Sequence, residues 1–286
     1  MGTLSGREFS DMNDFENRAG AGRQPVALAV ETSSRIGSVA LAIGDHVIEE
    51  VTFSTPMQHS AEIFPAIQDL LIRHSQTTEN IDQVHIAIGP GSFTGLRIAA
   101  ALAKAMHLAQ GIRIVTVDSL DVVIANLAIA PENEEDKAAV TPLADRIAAL
   151  FDAKRGQFYA SIYEHVPAAG RPLRPADTSS PGYEIPGPGA TAWRKTHPDS
   201  LMTVSEIANR LADAARPGVL GDGLLYHREE FTQMNATILP ERYWSPRAAN
   251  VHRLARQKAS AGRFADPLGL IPFYLRAPQV TLKGRP

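Results

Sequence analysis

The sequence predicts an α/β fold whose second half echoes its first. Three observations lead there. Short apolar runs and helical patterns follow one another as β-β-β-α-β-α-β-α through about residue 129, a coherent α/β unit. Strands followed by helices return after Arg146. Hydrophobic residues are 44% and charged ones 21%, ordinary globular usage that argues against coiled coil or wholesale disorder.

The elements follow in order. Residues 1 to about 24 hold four glycines and no periodicity, so a flexible extension is expected. Residues 26–30 form an apolar run ending in Glu-Thr-Ser-Ser. Residues 36–43 and 46–53 are strand-like around Gly44-Asp45, a hairpin signal. These three strands should form a meander. Residues 58–73 switch to helical period, with Ile63, Ile67, Leu70 and Leu71 on one face and Phe64 beside them. Pro65 inside that pattern predicts a kink or a later start. Residues 84–88 are a buried strand running into GPGSFTG at residues 89–95. A helix over 94–110 follows, stopped by Gly111. Residues 113–117 are a strand, and Asp118 or Ser119 can cap a helix over 120–129.

Residues 131–137 read as an acidic loop. Residues 146–152 and 157–163 read as a hairpin. Residues 165–200 are dense in Pro and Gly, so irregular structure is expected there. A helix over 207–215, a strand at Val219-Leu220 entering Gly221-Asp222-Gly223, and a last helix over 246–262 complete the pass.

Several classes are excluded early. No apolar run reaches the roughly 18 residues of a membrane helix, and the polar start lacks a signal-peptide core. A cytoplasmic chain with no membrane partner is expected. Cysteine is absent, which removes disulfides, thiolate metal sites and a cysteine nucleophile. Net charge is −3 and pI ≈ 6.3, so nucleic acid would be met through a local patch or a partner.

GPGSFTGLR at residues 89–97 is the most informative stretch. It joins a buried strand to a helix, and Ser92 or Thr94 can cap that helix. Its unpaired N–H groups could hold an anion. The alternative is a tight turn that packs helix on sheet. It is neither a Walker A loop nor a GxGxxG fingerprint.

The string itself resembles the TsaB (YeaZ) family. The likeness includes the strand plus ETSS at 26–34, HSAEIFPAI at 59–67, IAIGPGSFTGLRIA at 86–99 and VTVDSL at 115–120. FDAKRGQFYASIY at 151–163, GDG at 221–223 and PFYLR at 272–276 extend it, so it covers about residues 26–276. The resemblance implies a two-lobed fold of the actin-like ATPase (ASKHA) superfamily, ribonuclease H-like, each lobe a mixed sheet flanked by helices. The implied division is residues 1–24 extension, 25–130 N-terminal lobe that binds the partner, and 131–286 C-terminal lobe.

For function, the resemblance implies a non-catalytic scaffold of the complex that forms threonylcarbamoyladenosine at position 37 of ANN-decoding tRNAs. Such a chain binds a catalytic TsaD-like subunit, helps recruit a TsaE-like ATPase, and meets tRNA only within the complex. When alone it would self-pair. No cofactor, metal or catalytic residue is expected. In the catalytic relative a His-x-x-x-His pair holds a metal. The matching positions here are Ser119 and Val123, and Val cannot bind one. The alternative reading is an active ASKHA-type ATPase or kinase, or a glycoprotease-like enzyme.

The implied partner surface is the two helices of the first half. Ile63, Phe64 and Ile67 would be apolar anchors. Ala101 and Ala105 would allow close approach, with Arg97 and Lys104 at the rim. The competing reading places these apolar faces in the core. A nucleotide site would fall on Glu31, Ser33, Gly91, Gly221 and Gly223. Glu31 and Asp222 could be paired carboxylates, although sequence spacing does not bring them together. A tRNA patch would fall on Arg253, Arg256 and Lys258, with Arg276 and Lys283 nearby. The scattered histidines read as solvated or hydrogen-bonded.

Overall fold

The computed structural model describes residues 23–128, 144–167, 184–187 and 191–276. The expected extension up to residue 22, the acidic loop at 131–137 and Lys283 lie outside them. The first sheet begins with β1 (Val26–Glu31), β2 (Ser38–Ile43) and β3 (His46–Thr52), an antiparallel meander. Gly44 turns the β2–β3 hairpin at φ 56°. Next come α1 (His59–Arg73), β4 (Gln83–Gly89), α2 (Phe93–Gln110), β5 (Arg113–Asp118) and α3 (Ser119–Ile124). Strands β4 and β5 run parallel to β1, giving the order β3-β2-β1-β4-β5.

The second sheet contains β6 (Arg146–Asp152), β7 (Phe158–Pro167), β8 (Glu184–Pro186), β9 (Thr191–Met202), β10 (Pro217–Leu220) and β11 (Thr237–Ile238). Its order is β11-β10-β6-β7-β9-β8. Strands β6, β7 and β9 are an antiparallel meander, and β10 and β11 add in parallel on the other side of β6. Apart from β8, this repeats the first sheet. Helices α4 (Val204–Leu211), α5 (Leu224–Thr232) and α6 (Ala248–Ser260) belong to this half of the sequence.

Residue alternation along β1 decides which helices cover which face. Val26, Leu28 and Val30 pack with Ile63, Leu70, Ala99 and Ala103, so α1 and α2 cover one face. Ala29, Ala40 and Ala87 belong to a larger core with α3, α6 and the second sheet. The small alanines let α6 lie close on the strands. No helix among the described residues is long and apolar enough to cross a membrane.

Three expectations are corrected. Pro65 neither delays α1 nor ends it: the helix runs from His59 through Arg73 with Pro65 inside it, at an exposed position. Helix α3 ends at Ile124 and continues only as a 3₁₀ turn through Ala128. Residues 191–202 form a long strand rather than irregular structure. The register of β9 against β7 slips on either side of Ile162, and Pro198 falls in the bulge between His197 and Ser200. A bulge is where a strand tolerates proline.

Candidate functional site

The motifs singled out by sequence meet around one cleft. From the first half come the loop after β1 and the turn between β4 and α2, which are stitched together. Ser92 N donates to Ser33 O at 2.7 Å, and Thr32 Oγ1 donates to Gly95 O at 2.8 Å. Ser92 caps α2, its hydroxyl accepting from Gly95 N at 3.3 Å. A Cβ on Gly95 would lie 1.8 Å from Thr32 O, so only glycine permits the crossing. Likewise a Cβ on Gly91 would meet Ser33 O at 2.2 Å, and one on Gly221 would meet Leu150 O at 2.0 Å. Gly223 abuts the Leu150 side chain. These glycines therefore serve chain crossings. Of the two readings of GPGSFTG, the tight packing turn accounts for its glycines.

From the second half comes the hairpin tip between β6 and β7. Lys154 and Arg155 both adopt left-handed φ, 65° and 60°, followed by Gly156 at 67°. Asp152 steadies the tip, accepting from Lys154 N at 2.7 Å and from its ammonium at 2.6 Å. Tyr226 on α5 is exposed, with the Arg35 guanidinium 5.0 Å and the Lys154 ammonium 5.6 Å from its ring centre. Between these walls lies a cleft of ≈ 570 Å³, open to Ser33, Gly91, Phe93, Lys154, Asp222 and Tyr226 among others.

The structure brings Glu31 and Asp222 within electrostatic reach. Glu31 is fully buried, and burial pushes its pKa up to about 7. The Ser33 hydroxyl and amide, both 2.5 Å from Glu31 Oε1, pull it back, while Asp222 and Glu50 push it further up. Burial also pushes Asp222 up to about 7, against the Arg35 amide and with Asp152 adding to the rise. Both groups hold protons more tightly folded than unfolded, where carboxyls titrate near about 4. Their stabilising contribution is full below about pH 4 and is lost as pH rises through 7. The midpoint of thermal unfolding should therefore fall between about pH 4 and 7 and level off above that. Glu31→Gln with Asp222→Asn should flatten that fall, and an unchanged slope would contradict this assignment.

The expected partner surface divides. Ile63 and Ile67 are corrected: both are buried against the sheet and belong to the core. Helical periodicity identified their face but not what it packs on. Phe64, at 60% exposure, points outward together with Ile72. On α2, Arg97, Ala101, Ala105 and Leu108 are exposed, and Lys104 is half-buried. Arg97 Nε donates to Tyr274 OH at 3.2 Å.

The expected tRNA patch is largely committed elsewhere. Arg256 pairs with Asp45, Lys258 donates to Thr116 O at 2.7 Å, and Arg253 donates to Asn250 Oδ1 at 3.1 Å. Arg276 bonds Ala153 O and Gln157 Oε1. Several histidines are hydrogen-bonded, among them His59 to Ser34 O at 2.9 Å and His74 to Glu49 at 2.6 Å. Ser119 and Val123 are buried in α3.

One cluster escaped the sequence reading. Lys195 on β9 is fully buried. Its ammonium lies 2.7 Å from Asp121 Oδ1, 3.0 Å from Asp199 Oδ1 and 3.4 Å from Asp118 Oδ2. Tyr163 OH donates to Asp121 Oδ1 at 2.6 Å. Burial alone would lower the Lys195 pKa, but the carboxylates, Asp121 foremost, hold it well above the usual lysine range. Burial pushes Asp121 upward. Only the Lys-x-x-x-Asp spacing of 195 and 199 was visible in sequence, and such a pair normally marks a solvated face.

The family model described as "TsaD: tRNA N6-adenosine threonylcarbamoyltransferase" matches residues 46–176. The tRNA threonylcarbamoyladenosine biosynthesis protein TsaB of Bacillus subtilis (strain 168) is 26% identical over 260 residues, 90% of this chain and 96% of that one. The protein of the same name from Escherichia coli (strain K12) is 28% identical over 137 residues, 48% of this chain and 54% of that one. The solved structure of YeaZ from Pseudomonas aeruginosa superposes with a TM-score of 0.64 at 20% identity, covering 88% of this chain and all of that one. The near full-length sequence match and the family model support assignment to the TsaB (YeaZ) family, and the superposition shows the same fold.

Proposed function

We propose that this chain works in threonylcarbamoyladenosine biosynthesis as a non-catalytic scaffold, docking a TsaD-like catalytic subunit on α1 and α2 and helping to recruit a TsaE-like ATPase. The observation that carries the reading is the outer face of these helices. Leu108 is 76% exposed and Ile72 66%, beside Phe64 and the bare Ala101 and Ala105. Apolar side chains gathered on adjoining helices mark an association surface, and small residues allow close helix approach. The resemblance to both TsaB proteins and the TsaD family model suits a pairing of like folds.

A non-catalytic role is supported by Ser119 and Val123. They stand buried where the resemblance places the catalytic relative's metal ligands. Within the complex tRNA is met chiefly by the partner, because Arg256 and Lys258 are already engaged. Reconstitution tests the reading. The isolated chain should not modify tRNA, and adding TsaD-like and TsaE-like subunits with threonylcarbamoyl-adenylate should start modification. Chelator-sensitive modification by the chain alone would overturn it.

A second reading, a nucleotide site in the cleft, is favoured by Glu31 and Asp222 beside the Arg35–Tyr226–Lys154 stack. Ser33 and Gly91 line this cleft, whereas Gly221 and Gly223 pack against Leu150 and would only hold the Asp222 turn in place. ATP binding and turnover by the isolated chain, with and without magnesium, separate the two readings.

A further inference from the structure

Residues 270–276 cross from the first sheet to the cleft as a strap without regular secondary structure. Phe273 N donates to Ile88 O at 2.8 Å, near the end of β4. The strap passes so near Gly89 that a Cβ there would lie 2.5 Å from Phe273 O. Tyr274 then stacks on Phe93 in the first turn of α2, with ring centres 4.4 Å apart and planes 7° apart. The Arg97 guanidinium bonds the Tyr274 hydroxyl and lies over both rings. Two residues on, Arg276 forks across the hairpin tip, Nη1 to Ala153 O and Nη2 to Gln157 Oε1. Ala153 and Gln157 close that tip, Ala153 N donating to Gln157 O at 2.9 Å. Phe93 and Arg276 both face the cleft.

The strap thus grips both walls of the cleft, with one residue, Leu275, between the grips. The hairpin needs such a grip. Two successive non-glycine residues, Lys154 and Arg155, are left-handed. Such a conformation is strained and persists only where the surroundings hold it. Asp152 holds the tip from within the hairpin, and Arg276 holds its two ends from outside.

We propose that residues 270–276 are a clasp that ties the order of the cleft hairpin to the first turn of α2. Tyr274 is its anchor, and Arg276 positions the hairpin. Whatever draws Phe93 or Arg97 away from Tyr274 loosens the Lys154–Arg155 tip, and a molecule that rigidifies the tip tightens the Tyr274 stack. A planar guanidinium bridging two acceptors is not replaced by an ammonium. The clasp rests on contacts within this chain and stands apart from the partner and nucleotide readings above.

Hydrogen exchange of the isolated full chain tests it, read at the amides of Ala153 and Gln157. Arg276→Gln and Arg276→Lys should each speed these amides about tenfold, the scale of a lost charged hydrogen bond. Tyr274→Ala, whose ring meets Phe93 and Arg97 rather than the hairpin, should speed them about fivefold while the amides of β6 and β10 stay as in wild type. If Arg276→Gln speeds the hairpin but Tyr274→Ala leaves it unchanged, the two walls are not coupled and the clasp is overturned. Wild-type rates in both variants overturn it too. If Tyr274→Ala loosens the whole fold, Arg97→Ala decides, since it changes an exposed side chain. Faster exchange confined to residues 153 and 157, about twofold, supports the clasp, and unchanged rates overturn it.

Discussion

Lys195→Met should lower the stability of the isolated chain by about 3–5 kcal/mol at neutral pH, the usual cost of removing one partner from a buried charge cluster. Methionine fills most of the lysine volume, so the loss would come from charge. Three carboxyls, Asp118, Asp121 and Asp199, would face one another without the ammonium that now lies between them. For a chain of this size that corresponds to a fall of roughly 10 °C in Tm. The loss should shrink in acid, because protonated carboxyls no longer need the cation. Adding Asp121→Asn and Asp199→Asn to Lys195→Met should recover much of the stability, since neutral amides tolerate the apolar neighbour. Urea unfolding at about pH 8 and pH 5.5 checks all of this. A Lys195→Met chain within 1 kcal/mol of wild type at the higher pH would show that the ammonium carries no such burden.

The second large effect concerns binding. Ala101→Glu and Ala105→Arg should each weaken association with a TsaD-like subunit by about thirtyfold or more, the scale of losing a central contact. Both alanines are exposed on α2, so a long charged side chain can be carried by the free protein. In a close helix–helix contact that charge would be stripped of water without a partner. Phe64→Ala should also weaken binding, whereas Ile63→Ala should mainly lower Tm, because Ile63 belongs to the core. Glu229→Ala, on the outside of α5, should do neither. Titration calorimetry beside thermal melts separates the outcomes. Wild-type affinity in both folded alanine variants would remove α2 from the interface.

How much of this was legible beforehand depends on how local the signal is. The strands β1 to β7, both hairpins and the Ser92 and Gly111 ends of α2 follow from period, turn residues and caps. Helix α5 was missed because its buried contacts, Leu224 and Phe231, are a single pair seven residues apart. Strand β9 was missed because Pro198 reads as a breaker until the β7 partner and its bulge are known. The cleft was legible as separate motifs, yet their convergence depends on how the two sheets pack. The Lys195 cluster was least legible. Its carboxylates come from residues 118, 121 and 199, and charged residues read as exposed until the fold buries them.

The placement of α6 bears on how the chain is made. Helix α6 lies across β1, β2, β4 and β5, strands synthesised well before it. Ala248 N also donates to Ser38 Oγ at 2.8 Å. On the ribosome, then, the first sheet is clothed by α1 and α2 on one side, while on the other only the short α3 is at hand. The rest of its alanine-lined side stays open until α6 has emerged. At typical synthesis speeds of about 5–20 residues per second that interval is on the order of ten seconds or more. For that time the nascent chain presents Ala29, Ala40 and Ala87 without their cover, and it is then that a chaperone would have most to hold.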